Sequence, residues 1–229
     1  MKIKTLTLIT LVSFIPINSQ NITSGEVIYE ASMPLKNKAK IKASAKKYLE
    51  NLKLVKFQLI FNGNESLYEK VDDMSSDGDS TINLVEILGG GKDKYYHNKT
   101  DNIILRQTEK FGEQFLISCQ DNQWEIKQEQ KQIGGYECFK AIQSNKNGEE
   151  TVVAWFTSQI PVNFGPKKYN NLPGLILEVH TGGLALKATN IILNPKIKIK
   201  IRRIKKGEEM TEKEFYIIAN EMSKELFKK

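Results

Sequence analysis

The sequence predicts a mainly β domain: one strongly curved antiparallel sheet or partly closed barrel, with one helix in its N-terminal half and one at its C-terminus. Three observations predict it. Short runs of period-two alternation recur from Gly25 to Leu193, with Gly, Asn, Asp and Pro between them. Only two stretches switch to helical spacing, 38–52 and the segment after Thr211. The 229-residue chain, less its leader, is long enough to enclose one core.

The leader comes first. Lys2 and Lys4 form a positive flank, Leu6 to Ile17 an apolar run, and Asn18-Ser19-Gln20 a cleavage region, with the cut expected after Ser19. Residues 1–19 thus read as a signal peptide and 20–229 as a single mainly β domain. The apolar run is shorter than the roughly 20 residues a spanning helix needs. Neither cysteine lies near the cut, so acylation of the new N-terminus is not expected. The mature protein is expected to be periplasmic or secreted and not membrane-spanning.

Gly25 to Met33 reads as a strand, with Val27, Tyr29 and Ala31 on one side and Pro34 ending it. From Lys38 to Leu52 the pattern becomes helical: Ile41, Ala45, Tyr48, Leu49 and Leu52 share a face opposite lysines. Such a helix packs against its own domain with a solvated polar face, or lies on an anionic membrane. Leu54–Phe61 and Glu65–Val71 read as a hairpin across Asn62-Gly63-Asn64. The acidic run Asp72 to Ser80 approaches calcium-loop spacing, but its twelfth position is Leu84 where a bidentate Glu belongs, so a solvated turn is expected. Gly89-Gly90-Gly91-Lys92 lacks the spacing of a phosphate loop and reads as a flexible hairpin tip. Short strands then follow one another to Asn145, as in an antiparallel meander.

The stretch from Val152 to Val179 organises the rest. Val152, Ala154 and Phe156 alternate with Val153, Trp155 and Thr157; later, Leu175, Leu177 and Val179 alternate with Ile176, Glu178 and His180. Between these strands, Ile160-Pro161, Gly165-Pro166 and Leu172-Pro173-Gly174 fix the backbone three times. Pro173-Gly174 reads as the centre of a type II turn, with positive φ at the glycine.

Beyond it, Lys196, Lys198, Lys200 and Arg202 alternate with Ile197, Ile199 and Ile201 in a run, 196–206, of seven basic and no acidic residues. The whole chain carries 34 basic and 27 acidic residues, a net charge of +7, so its basic character resides in this run. A basic strand is a stripe for an anionic partner, such as phosphorylated lipid or envelope polysaccharide. The more ordinary reading is a solvent-facing strand whose lysines guard against edge-to-edge aggregation. No aromatic residue is interleaved, so nucleic acid is not an expected partner. Finally, Thr211-Glu212-Lys213-Glu214 is a capping box opening a helix whose stripe is Phe215, Ile218, Ala219, Met222 and Leu226.

A-W-F-T-S-Q-I-P-V-N-F-G-P (154–166) followed by N-L-P-G-L-I-L-E (171–178) resembles the GLPGLI family of exported Bacteroidetes-type proteins. I-G-G-Y-E-C-F-K-A (133–141), G-E-E-M-T-E-K-E-F (207–215) and, more weakly, G-E-V-I-Y-E (25–30) agree. Asn171 stands where the name-giving hexapeptide has Gly, a replacement that left-handed backbone tolerates. The resemblance implies an exported protein whose role is uncharacterised.

The chemistry has clear gaps. His97 and His180 are the only histidines, and no spacing resembles a metal site, so neither metal nor cofactor is expected. No G-x-S-x-G or H-E-x-x-H occurs, and enzymatic activity is not expected; His180 is the first residue to test should any appear. Cys119 and Cys138 fall in adjacent predicted strands, where register decides between a disulfide and two thiols. Two functions stay open. In one, the sheet curls round an apolar or amphipathic ligand, with Trp155, Phe164, Pro166, Tyr169, Leu172, Pro173 and Gly174 as candidate contacts and the 158–170 loop rimming the mouth. In the other, that loop and the basic strand hold an envelope protein.

Overall fold

The computed structural model describes residues 22–34, 54–71 and 83–226. The leader, the 38–52 segment and the Asp72–Ser80 run lie outside the described residues. Twelve strands form one mainly β sheet: β1 (Ser24–Ser32), β2 (Val55–Asn62), β3 (Glu65–Lys70), β4 (Lys94–Asn98), β5 (Ile103–Lys110), β6 (Glu113–Ser118), β7 (Glu125–Ile133), β8 (Tyr136–Ser144), β9 (Glu150–Thr157), β10 (Leu175–Thr181), β11 (Leu184–Leu193) and β12 (Glu208–Thr211). Among the described residues two helices accompany them, α1 (Leu84–Gly89) and α2 (Glu212–Leu226). The spatial order is β12-β6-β5-β4-β3-β2-β1-β11-β10-β9-β8-β7. Its two ends are different strands, so the sheet is open.

Neighbouring strands pair antiparallel as expected, except that β12 lies parallel to β6. The chain leaves β11 in the middle of the sheet and crosses to the far edge before β12. A parallel partner requires a long crossover of this kind.

The alternation read in the sequence is the alternation of burial. β1 and β2 put every second residue inside, and their register sets Tyr29 opposite Phe57 and Val27 opposite Leu59. Tyr68 stacks on Phe57 with ring centroids 5.3 Å apart and meets Tyr29 and Tyr95 edge-on. Each such buried side chain contributes about 1.5–3 kcal/mol. Asn62-Gly63-Asn64 turns the β2–β3 hairpin, with Gly63 at φ 37°.

The Gly89–Gly91 run is not a hairpin tip. It ends α1, a helix the periodicity does not reveal, whose cap Asn83 accepts bonds from the amides of Val85 and Glu86. Gly90 (φ 136°) and Gly91 (φ 56°) make the exit turn, and the Tyr68 hydroxyl donates to the Gly89 carbonyl at 3.0 Å. At the other end, the capping box forms as read. The Thr211 amide donates to Glu214 Oε2 at 2.8 Å, and the Glu214 amide to Thr211 Oγ1 at 3.3 Å. The helix lays Phe215, Ile218, Ala219 and Met222 against Phe115, Ile117 and Met210.

Candidate binding surfaces

The loop between β9 and β10 does not rim a mouth. It folds into the core. Ile160, Val162, Phe164, Pro166, Tyr169 and Leu172 are all buried, Phe164 at 1 % exposure between Phe61 and His97. Of the seven candidate contacts, only Pro173 is exposed, and Trp155 is half-buried. Phe164, Tyr169 and Leu172 are core side chains, which is the ordinary use of large apolar groups.

Polar side chains clamp this loop. Asn122, itself buried, donates through Nδ2 to the Lys168 carbonyl (2.6 Å) and to Asn170 Oδ1 (2.8 Å), and accepts from Gln143. Trp124 Nε1 donates to the Asn170 carbonyl at 2.7 Å, and Asn171 Nδ2 to the Asn122 carbonyl. Lys168 reaches Glu212 on α2 at 2.6 Å, and Lys167 Nζ donates to the Leu88 carbonyl of α1. Burial pushes the Lys167 ammonium down to about 8, with the Arg106 charge adding to the fall. The Leu172-Pro173-Gly174 bend is tighter than the expected type II turn. The Gly174 amide returns to the Leu172 carbonyl, a three-residue γ-turn. Asn171, the residue standing for the hexapeptide's first glycine, sits at φ 66°.

The run 196–206 is not a strand. It joins no ladder of the sheet. Ile204 is buried against Tyr96, Leu105 and Leu116, with Ile201 beside it, while the Ile199 carbonyl accepts from Asn62 Nδ2. Lys196, Lys198, Lys200, Arg202, Arg203, Lys205 and Lys206 are all exposed, and none makes an ion pair among the described residues. Ile197 is 84 % exposed. Three isoleucine contacts hold the crossover down, so no backbone pairing is required of it.

Cys119 follows β6 and Cys138 lies on β8, and both carry free thiols. The expected adjacency fails because the chain returns to the middle of the sheet through β10 and β11, leaving β6 and β8 near opposite edges. Burial pushes the Cys119 thiol up to about 12 and the Cys138 thiol up to about 11, which suits neither to act as a nucleophile.

His180 does have company the sequence did not show. Its Nε2 meets Glu178 Oε1 at 2.5 Å, and Lys131 Nζ reaches the same oxygen at 2.7 Å while lying 4.3 Å from the Trp155 ring centroid. Burial raises the Glu178 carboxyl, but the hydrogen bonds and charges of His180 and Lys131 more than offset it and hold the group near 2. This is a buried, satisfied carboxylate. A Lys on β7 and a Glu on β10 are 47 residues apart, so only strand order brings them together. Among the described residues no group of three or more His, Cys, Asp or Glu is placed to hold a metal ion, and no described helix is long and apolar enough to cross a membrane.

A family model described as a protein of unknown function (Porph_ging) matches residues 143–178, from late β8 into β10. That segment contains the hexapeptide turn and the buried loop. No curated protein matches the chain. Among solved structures the chain is similar to PNGF-II in two crystal forms. In space group C2 the TM-score is 0.54 at 17 % identity, over 86 % of this chain and 32 % of that one. In P21 it is 0.56 at 18 %, over 86 % and 33 %. The chain therefore spans about a third of the length of those structures. At this identity the likeness concerns the fold.

Proposed function

We propose that residues 20–229 form one exported domain that docks on an anionic, phosphorylated lipid surface of the cell envelope through the 196–206 crossover. The leader pattern supports export. The observation that carries the docking is seven exposed basic residues, none in an ion pair among the described residues, on a segment that belongs to no strand. Protection of a sheet edge would have accounted for lysines on an edge strand; it does not account for them here. Ile197, exposed between Lys196 and Lys198, favours lipid over polysaccharide, because an apolar side chain beside cations gains by entering the acyl boundary. At about 1 kcal/mol per basic residue near an anionic surface, Lys196, Lys198, Lys200 and Arg202 alone supply roughly a thousandfold in partitioning. An apolar carrier is less well supported, since its contact rings are core.

Vesicle co-sedimentation tests the docking. The mature protein is expected to bind phosphatidylglycerol-containing vesicles at low salt and to be released by added salt. The variant carrying Gln at positions 196, 198, 200 and 202 is expected to stay in solution at unchanged thermal stability. Equal binding to neutral phosphatidylcholine vesicles, or no loss in the variant, overturns it.

A further inference from the structure

A cleft of about 450 Å³ lies between the turn that follows α1 and the outer half of β5, a volume suited to a small molecule. Its chemistry is uneven. Arg106 uses Nε and Nη2 on one oxygen of Asp93, both at 2.7 Å, and leaves Nη1 uncommitted among the described residues. Its guanidinium carbon stands 6.0 Å from the Tyr95 ring centroid and 5.5 Å from that of Phe215, which fixes its plane. The carboxylates of the cleft are already engaged: Glu86 with Lys70, Asp93 with Arg106, Glu109 with Gln114. The ammonium groups of Lys92 and Lys110 are not, among the described residues.

A second observation points the same way. Thr108 lines the cleft at 2 % exposure, and its Oγ1 has no hydrogen-bond partner among the described residues. A buried hydroxyl without a partner costs stability that a valine of the same shape would recover, so its presence calls for something to bond to. Lys167 holds the Leu88 carbonyl behind the same turn, close enough for its charge to feel Arg106 and Asp93.

We propose that this cleft binds a small acidic sugar, its acid group on Arg106, Lys92 and Lys110 and one hydroxyl on Thr108. A fixed guanidinium with free donors recognises carboxylate or phosphate. An uncommitted hydroxyl in a polar cleft recognises another hydroxyl. None of these residues belongs to the basic crossover, so the site stands or falls apart from membrane docking.

Calorimetric titration and thermal shift with glucuronate, glucose 1-phosphate and glucose test it and separate carboxylate from phosphate. At least one charged sugar is expected to bind the mature protein about tenfold or more tightly than glucose and to raise Tm. Arg106→Gln is expected to lose that preference, and the surface pair Lys92→Gln/Lys110→Gln, which leaves the core untouched, to weaken binding severalfold. Thr108→Val is expected to melt at or above the wild type without sugar and yet show a smaller sugar-induced shift. Failure of both charged sugars to bind saturably, equal affinity for glucose, or undiminished binding in the Thr108 and lysine variants overturns the site. The variant lacking the four crossover charges serves as control and binds the sugar as wild type does.

Discussion

Gly174 and Thr157 are in backbone contact: a Cβ on Gly174 would stand 2.0 Å from the Thr157 carbonyl oxygen and 2.5 Å from its carbonyl carbon. The end of β9 and the start of β10 are pinched together there, and the buried loop leaves and re-enters the sheet through one point. Gly174 also holds φ at 154°, where a side chain is strained whatever the space.

Gly174→Ala is therefore expected to cost more than about 3 kcal/mol, from strain plus a backbone clash with nowhere to relax. Urea unfolding should report the loss directly, with a fall in Tm of roughly 10 °C. Asn171→Gly is the counter-case. Relief at φ 66° is offset by the lost bond to the Asn122 carbonyl, so its midpoint should move by less than about 1 kcal/mol. A Gly174→Ala protein as stable as wild type would mean the pinch is not obligatory.

Glu178 makes the sheet acid-sensitive. Its side chain is 6 % exposed and bonded to both Lys131 and His180. Its carboxyl is held near 2 against an ordinary value of 4.5. The unfolded chain thus binds this proton more readily than the native one. The pair's stabilisation is complete above about 4.5 and is lost as pH falls toward 2. Glu178→Gln is expected to lose about 2 kcal/mol at pH 7, since it strands Lys131 beside a neutral amide, with the third of Lys131 that is exposed tempering the loss. Urea midpoints at pH 7 and pH 3 check this: the gap between variant and wild type should narrow in acid, and a constant gap would refute the linkage.

What the sequence disclosed, and what it hid, divides along range. Features decided within a few residues were legible: the period-two strands, the Asn62-Gly63-Asn64 hairpin, the Thr211–Glu214 capping box and a left-handed Asn171. Each depends on local sterics or a hydrogen bond three residues long. Features decided by strand order were not. Cys119 and Cys138 read as neighbours because their strands follow closely in sequence, but the return of the chain through β10 and β11 sets them apart. The Lys131–Glu178–His180 cluster is invisible for the same reason, run in reverse. Phe164 and Tyr169 are equally apolar in a core or at a mouth, and composition cannot distinguish the two. The crossover 196–206 alternates like a strand without pairing: only Ile201 and Ile204 reach the cluster of Tyr96, Leu105 and Leu116, while Ile197 stays exposed. Helix α1 spans six residues, too few for a period to repeat.

Lys167 predicts a second rise of stability with pH, at the alkaline end. The residue is held at φ 56°, outside the region a lysine prefers, and its ammonium donates to the Leu88 carbonyl at 2.9 Å. Burial and the nearby Arg106 charge bring it down to about 8, below the ordinary 10.5. The native protein therefore gives up this proton before the unfolded chain does. Below about 8 both states carry it and the penalty for the buried charge is constant; between about 8 and 10.5 only the unfolded chain carries it, so stability rises with pH relative to a chain lacking the amine. Lys167→Met supplies that reference and cancels contributions common to both proteins. The wild type is expected to gain about 1 kcal/mol on Lys167→Met between pH 7.5 and pH 10, less than full linkage because the amine keeps some solvent contact. Urea midpoints that run parallel across this range would show that the amine is solvated and that the loop is not held to α1 through it.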